Sequence, residues 1–185
     1  MVGNISNNTQ TDVLRCFLVL EKGYSRQQIS KELELGEGTV KSILNTLKQK
    51  NLITSSTHGH IYTGKGAGHM ARIREIIELP RKLRLDLFPG KQGCAVLLKS
   101  RKEGKVSIDH RDLAIKNGAD AALILVYGER LQMTGCDVPP PEELTGMYEY
   151  RRNNILIVCF SKTYRWAENS ALATASHLSD TAIMF

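Results

Sequence analysis

The sequence predicts an α+β chain of two domains, an N-terminal winged helix-turn-helix followed by a small, sandwich-like C-terminal domain of the α/β kind. Three observations carry that expectation. Residues 11–63 place short amphipathic helices around a glycine-containing turn and follow them with two β-branched segments about a His-Gly-His turn. Beyond residue 93 the pattern changes to short continuous apolar runs, in the order strand, helix, strand, strand, loop, strand, helix. The chain has 185 residues, 42% of them apolar, enough for one large core or two small ones. The boundaries read as 1–79 for the first domain, 80–92 for a linker and 93–185 for an effector or dimerisation domain.

Each element has its own signal. Thr11 and Asp12 offer an N-cap to a helix whose face is Val13, Leu14, Phe17 and Leu18, and Lys22-Gly23 ends it. Ser25 and Gln28 form a capping box for a second helix with Ile29 and Leu33 inward. Leu35-Gly36-Glu37-Gly38 is a tight turn into a third helix, Thr39 to Lys50, whose stripe is Val40, Ile43, Leu44 and Leu47. Ile53 to Ser56 and Ile61 to Thr63 read as a hairpin. Gly64 to Gly68 reads as a break, and Met70 to Leu79 as a helix stopped by Pro80. In the second domain Cys94 to Leu98 is a buried strand, and Asp109 to Asn117 a helix with Asp109 as N-cap and Gly118 as stop. Ala121 to Tyr127 and Arg130 to Met133 read as a hairpin, Pro139 to Pro141 as a loop, Asn154 to Phe160 as a strand, and Trp166 to Leu178 as a closing helix rich in small residues.

Composition narrows the function. There are 25 Lys and Arg against 19 Asp and Glu, a formal +6. Lys41, Lys48, Lys50 and Lys65 occupy residues 38–65 without a single carboxylate. Residues 79–105 hold a second basic stretch, offset only by Asp86 and Glu103. Such stretches suit a polyanionic partner as well as a solvated surface. No apolar run approaches the ~20 residues that a bilayer needs, and the first residues lack a signal core, so a cytoplasmic protein with no membrane partner is expected. Cys16, Cys94, Cys136 and Cys159 form no CxxC pair, which points to reduced thiols and no metal site.

The third helix carries the clearest chemistry. Thr39, Lys41, Ser42, Asn45, Thr46 and Lys48 face away from its apolar stripe. Asn and Lys read base edges, while Thr, Ser and Lys hold phosphates. His58 and His60 sit on the wing, and Lys65 follows between glycines, so these join the set expected to contact double-stranded DNA. A homodimer is expected, because one such unit makes few phosphate contacts, with residues 69–79 as the connecting or dimerisation helix. The run Leu35-Gly36-Glu37-Gly38-Thr39-Val40-Lys41, with Leu47 and Asn51-Leu52-Ile53 behind it, resembles the turn, recognition helix and approach to the wing of prokaryotic winged-helix transcriptional regulators. Asn51 stands where those have Gly, a mild change because Asn tolerates a left-handed backbone.

In the second domain, Arg111, Asp112, Ala114, Ile115, Gly118 and Ala119 ahead of an apolar strand, with Leu172, Ala173 and Ala175 in the last helix, resemble a family of archaeal two-domain regulators. In that family a winged helix precedes a domain of unknown function. The resemblance implies the fold and a regulatory role, and no ligand. Asp109 and Asp112 share a helix face that His110 does not, and no metal-ligand spacing, phosphate loop or nucleophile with a matched base accompanies them. The chain therefore reads as a non-enzyme without cofactor. Arg111 and Asp112 stand either as the anchor of a small-molecule effector or as a local salt bridge. Tyr164, Arg165 and Trp166 form a cation–π candidate, and Tyr148, Tyr150, Arg151 and Arg152 a short mixture of aromatics and cations. The competing reading is a ligand-binding protein or enzyme whose winged helix serves protein contacts.

Overall fold

A computed structural model describes residues 8–57, 59–99 and 106–185. The chain forms two compact units, one reaching to Ile73 and including Met184–Phe185, the other spanning Arg74–Ile183.

The first unit holds three helices, a single 3-10 turn (Leu20–Lys22), a hairpin and the greater part of a fourth helix. Helix α1 is Gln10–Val19, and its cap is Thr9, not Thr11 or Asp12. Thr9 and Asp12 cap each other reciprocally, and Asp12 pairs with Arg15 at 3.1 Å with both side chains fully buried. Arg15 also donates to the Leu33 carbonyl at 3.2 Å, so a buried charge ties α1 to the end of the next helix. That helix, α2 (Arg26–Leu33), starts at the expected Ser25–Gln28 capping box. Helix α3 (Glu37–Gln49) begins two residues earlier than its sequence suggests, with Gly36 as cap, and buries Val40, Ile43, Leu44 and Leu47. Asn51 adopts the left-handed backbone at φ 60° and turns the chain into the antiparallel pair β1 (Ile53–Ser56) and β2 (Gly59–Tyr62). The Tyr62 hydroxyl donates to the Phe17 carbonyl at 2.6 Å and pins the hairpin to α1.

Gly64 to Gly68 is not a break. It is the first part of helix α4, Gly64–Ile76, and Thr63 starts it by accepting from the Gly66 amide and, through its carbonyl, from the Ala67 amide. A Cβ on Gly66 would stand 1.9 Å from the Leu52 carbonyl oxygen, so glycine is required there for packing rather than for a turn. The helix ends before Leu79, because Ile77 leaves it to bridge Leu98.

The second unit is a five-stranded sheet in the order β3-β4-β7-β5-β6. Its strands are β3 (Arg81–Leu83), β4 (Gln92–Leu98), β5 (Ala121–Tyr127), β6 (Leu131–Met133) and β7 (Ile155–Ser161). Every neighbouring pair is antiparallel, so the domain is α+β without a parallel core. Residues 80–92 are not a bare linker, since β3 lies within them and pairs with β4. β7 runs between β4 and β5 and is buried along its whole length, which explains its unbroken apolar run. Helices α5 (Asp109–Lys116) and α7 (Tyr164–Leu178) pack on the sheet. Alternation along the strands turns Ala95, Leu97, Leu125, Leu156, Val158 and Phe160 to one common face, where Leu85, Leu144 and Tyr148 cover them. The short helix α6 (Glu142–Thr145) belongs to that cover and has no counterpart in the sequence reading. Cys16, Cys94 and Cys159 are buried thiols outside any disulfide, and burial pushes the Cys16 thiol up to about 12.

Candidate nucleic-acid interface

Helix α3 turns its apolar stripe inward, which leaves Lys41, Ser42 and Asn45 exposed in a row and Thr39 and Lys48 half-buried beside them. Thr46 donates to the Ser42 carbonyl at 3.1 Å and is occupied within the helix. The carboxylate at the start of α3, Glu37, is met by Arg26 at 3.3 Å, so the helix presents cations from its second turn onward. Gln49 and Lys50 extend the exposed strip at its far end. Of these, Lys50 was legible only as a member of the carboxylate-free stretch.

The hairpin and the start of α4 meet this helix at its C-terminal end. Lys65 is exposed and donates to the Lys50 carbonyl at 3.0 Å, capping α3 from outside. His60 stands beside Lys48, and its buried Nδ1 has no hydrogen-bond partner among the described residues. Burial first, and the Lys48 charge second, hold the His60 imidazole below its ordinary 6.5, so it is neutral at pH 7. His58 lies outside the described residues. The structure thus brings Lys48, Lys65 and His60 to one end of the row formed by Lys41, Ser42 and Asn45.

Arg111 and Asp112 are exposed in the first turn of α5 and make no hydrogen bond or ion pair with each other. Asp109 is the first residue of that helix and not its cap. Ile108 stands at the cap position without a side-chain hydrogen bond, while the Ser107 hydroxyl accepts from the Asp109 amide at 3.3 Å and the His110 Nδ1 accepts from the Ser107 amide at 3.1 Å. The rest of the motif builds the turn from α5 into β5. Gly118 has φ 103°, and a Cβ there would stand 2.8 Å from the Trp166 ring. Its carbonyl accepts from Ser161 at 3.2 Å, and the Asn117 carbonyl accepts from Ser170 at 2.9 Å. Arg165 lies 5.1 Å from the Trp166 ring as expected, whereas the Tyr164 ring receives Lys82 at 4.5 Å. Among the described residues no group of three or more His, Cys, Asp or Glu could hold a metal ion, and no helix is long and apolar enough to cross a membrane.

Residues 9–68 match a family model described as PH0730-like, N-terminal domain, and residues 89–178 match a domain of unknown function, DUF4443. No curated protein matches the chain. Among solved structures, the hypothetical protein PH0730 from Pyrococcus horikoshii OT3 is 30% identical, with 93% of each chain covered and a TM-score of 0.81. A two-unit chain of this kind, matched over nearly all its length, belongs to the PH0730-like family that joins this N-terminal domain to DUF4443.

Proposed function

We propose that the protein is a sequence-specific DNA-binding transcriptional regulator of the winged-helix kind, acting as a cytoplasmic homodimer. One observation carries this reading: Lys41, Ser42 and Asn45 lie exposed along α3, in a stretch from 38 to 65 that holds four lysines and no carboxylate. A helix of 13 residues is about 20 Å long and about 10–12 Å across, the bore of a major groove. Asn45 and Lys41 read base edges, and Thr39, Ser42, Lys48 and Lys65 hold phosphates. His60, neutral at pH 7, contributes a hydrogen bond at most, and the exposed Thr54 and Ser55 serve the wing. The second unit senses an effector or holds the dimer together, without catalysis and without a cofactor.

The exposed Ile61, 53% accessible on the hairpin, is the observation that favours the other reading, a winged helix used for protein contacts. Fluorescent duplex DNA, random and from the upstream region of the protein's own gene, separates the two across a salt series. Steeply salt-dependent affinity with preference for the upstream fragment supports the regulator. Absence of binding at low salt supports the protein-contact reading.

A further inference from the structure

The second unit holds a cavity of about 400 Å³ lined by Arg74, Glu78, Leu79, Pro80, Arg81 and Lys99. The last turn of α4, the segment between α4 and β3, the start of β3 and the residue after β4 supply its charges. Among these lining residues three cations face one carboxylate, a formal net positive two. The polar walls do not suit an apolar ligand. Two of the cations, Arg81 and Lys99, are held in place from behind. The Arg81 guanidinium lies 4.3 Å from the centre of the Tyr148 ring and donates to the Met147 carbonyl. Tyr148 is itself buried and fixed by its hydroxyl, which donates to the Ala95 carbonyl at 2.9 Å. Lys99 donates to the Arg74 carbonyl and pairs with Glu78 at 3.1 Å. Donors fixed in advance lose little freedom on binding, and a guanidinium fork matches an oxyanion. An adjoining cavity of about 470 Å³ shares Glu78 and Lys99 and sets Arg151 and Arg152 against Glu75 and Glu149, so its remaining charges balance.

We propose that these two cavities bind a small phosphomonoester, its phosphoryl group against Arg74, Arg81 and Lys99 and its uncharged polar remainder in the balanced cavity. A phosphomonoester carries about −1.5 to −2 charges at pH 7, which matches the net positive two. A single carboxylate would leave one cation uncompensated. As the effector site of a regulator this rests on the function proposed above, but the binding is read on the full chain without DNA.

Thermal unfolding with inorganic phosphate at constant ionic strength tests it. The wild-type chain is expected to show a saturable rise in Tm that acetate does not reproduce. Arg81→Gln and Arg74→Gln are expected to weaken the midpoint about tenfold or more, while Lys82→Gln, outside the cavity, leaves it unchanged. An equal response in wild type and in both cavity variants overturns the proposal. Broadening of the ³¹P resonance of inorganic phosphate by the wild-type chain reads binding without any variant, and its absence overturns the proposal too. Duplex DNA that abolishes this broadening would give the cavity to a backbone phosphate and overturn the small-molecule form.

Discussion

His69 shows how one residue can set a pH limit on the first unit. Its ring lies 5.7 Å from that of Phe17 and 4.7 Å from that of Phe185, and its Nε2 is buried with no hydrogen-bond partner among the described residues. Burial, with Arg72 and Lys65 adding repulsion, holds the imidazole below its ordinary 6.5. The unfolded chain therefore binds more protons than the folded one below that value, and stability falls as the pH drops from 6.5 through the lower folded value. His60 acts in the same direction. Tm is expected to decline between pH 7 and pH 5, and His69→Phe to flatten that decline; an unchanged slope would remove His69 from the account. Gly66 is a second single-residue constraint. Gly66→Ala drives a methyl into the Leu52 carbonyl and is expected to lower stability by about 1–3 kcal/mol, read as a shift in the urea midpoint. Neither constraint is legible locally, because a glycine in a Gly-Lys-Gly run signals a turn until Leu52 is placed beside it.

Among the elements, α1 and α3 carry the sharpest expectations. The Asp12–Arg15 pair is fully buried, and Arg15→Met removes the guanidinium from beside the Asp12 carboxylate inside the fold. A loss of about 3–5 kcal/mol is expected in chemical denaturation. For α3, Asn45→Ala is expected to cost about 1–3 kcal/mol of specific DNA affinity and to relax base preference at one position. Lys65→Met should weaken binding evenly across sequences and lower the salt slope by about 1. An unchanged footprint and affinity in Asn45→Ala would remove α3 as the reading helix. The stripe of α3 was legible because it repeats every three to four residues within one helix. Its start was not, because Gly36 caps it by backbone conformation alone, without a side-chain hydrogen bond. Strand β3 was hidden for a related reason: three residues show no periodicity, and only pairing with β4 makes Arg81–Leu83 a strand.

At the scale of the whole molecule, the proposed dimer predicts a sedimentation mass about twice 20.6 kDa at micromolar protein. A monomer at that concentration would confine the regulator to single half-sites. The sequence alone determined the two-domain order, the three helices and hairpin, the buried strands at 94–98 and 154–160, the strand at 121–127, and the row of polar and basic residues on α3. Those signals are local: capping boxes, helical stripes and apolar runs act between residues close in the chain. Tertiary structure alone decided the antiparallel order β3-β4-β7-β5-β6, the need for Gly66, and the use of Gly118 against Trp166. The phosphate site proposed above depends on tertiary structure in the same way, since it needs Arg74, Arg81 and Lys99 to converge on one cavity. Convergence of that kind depends on which strands pair across long stretches of chain, and strand pairing is set by packing that no single segment encodes.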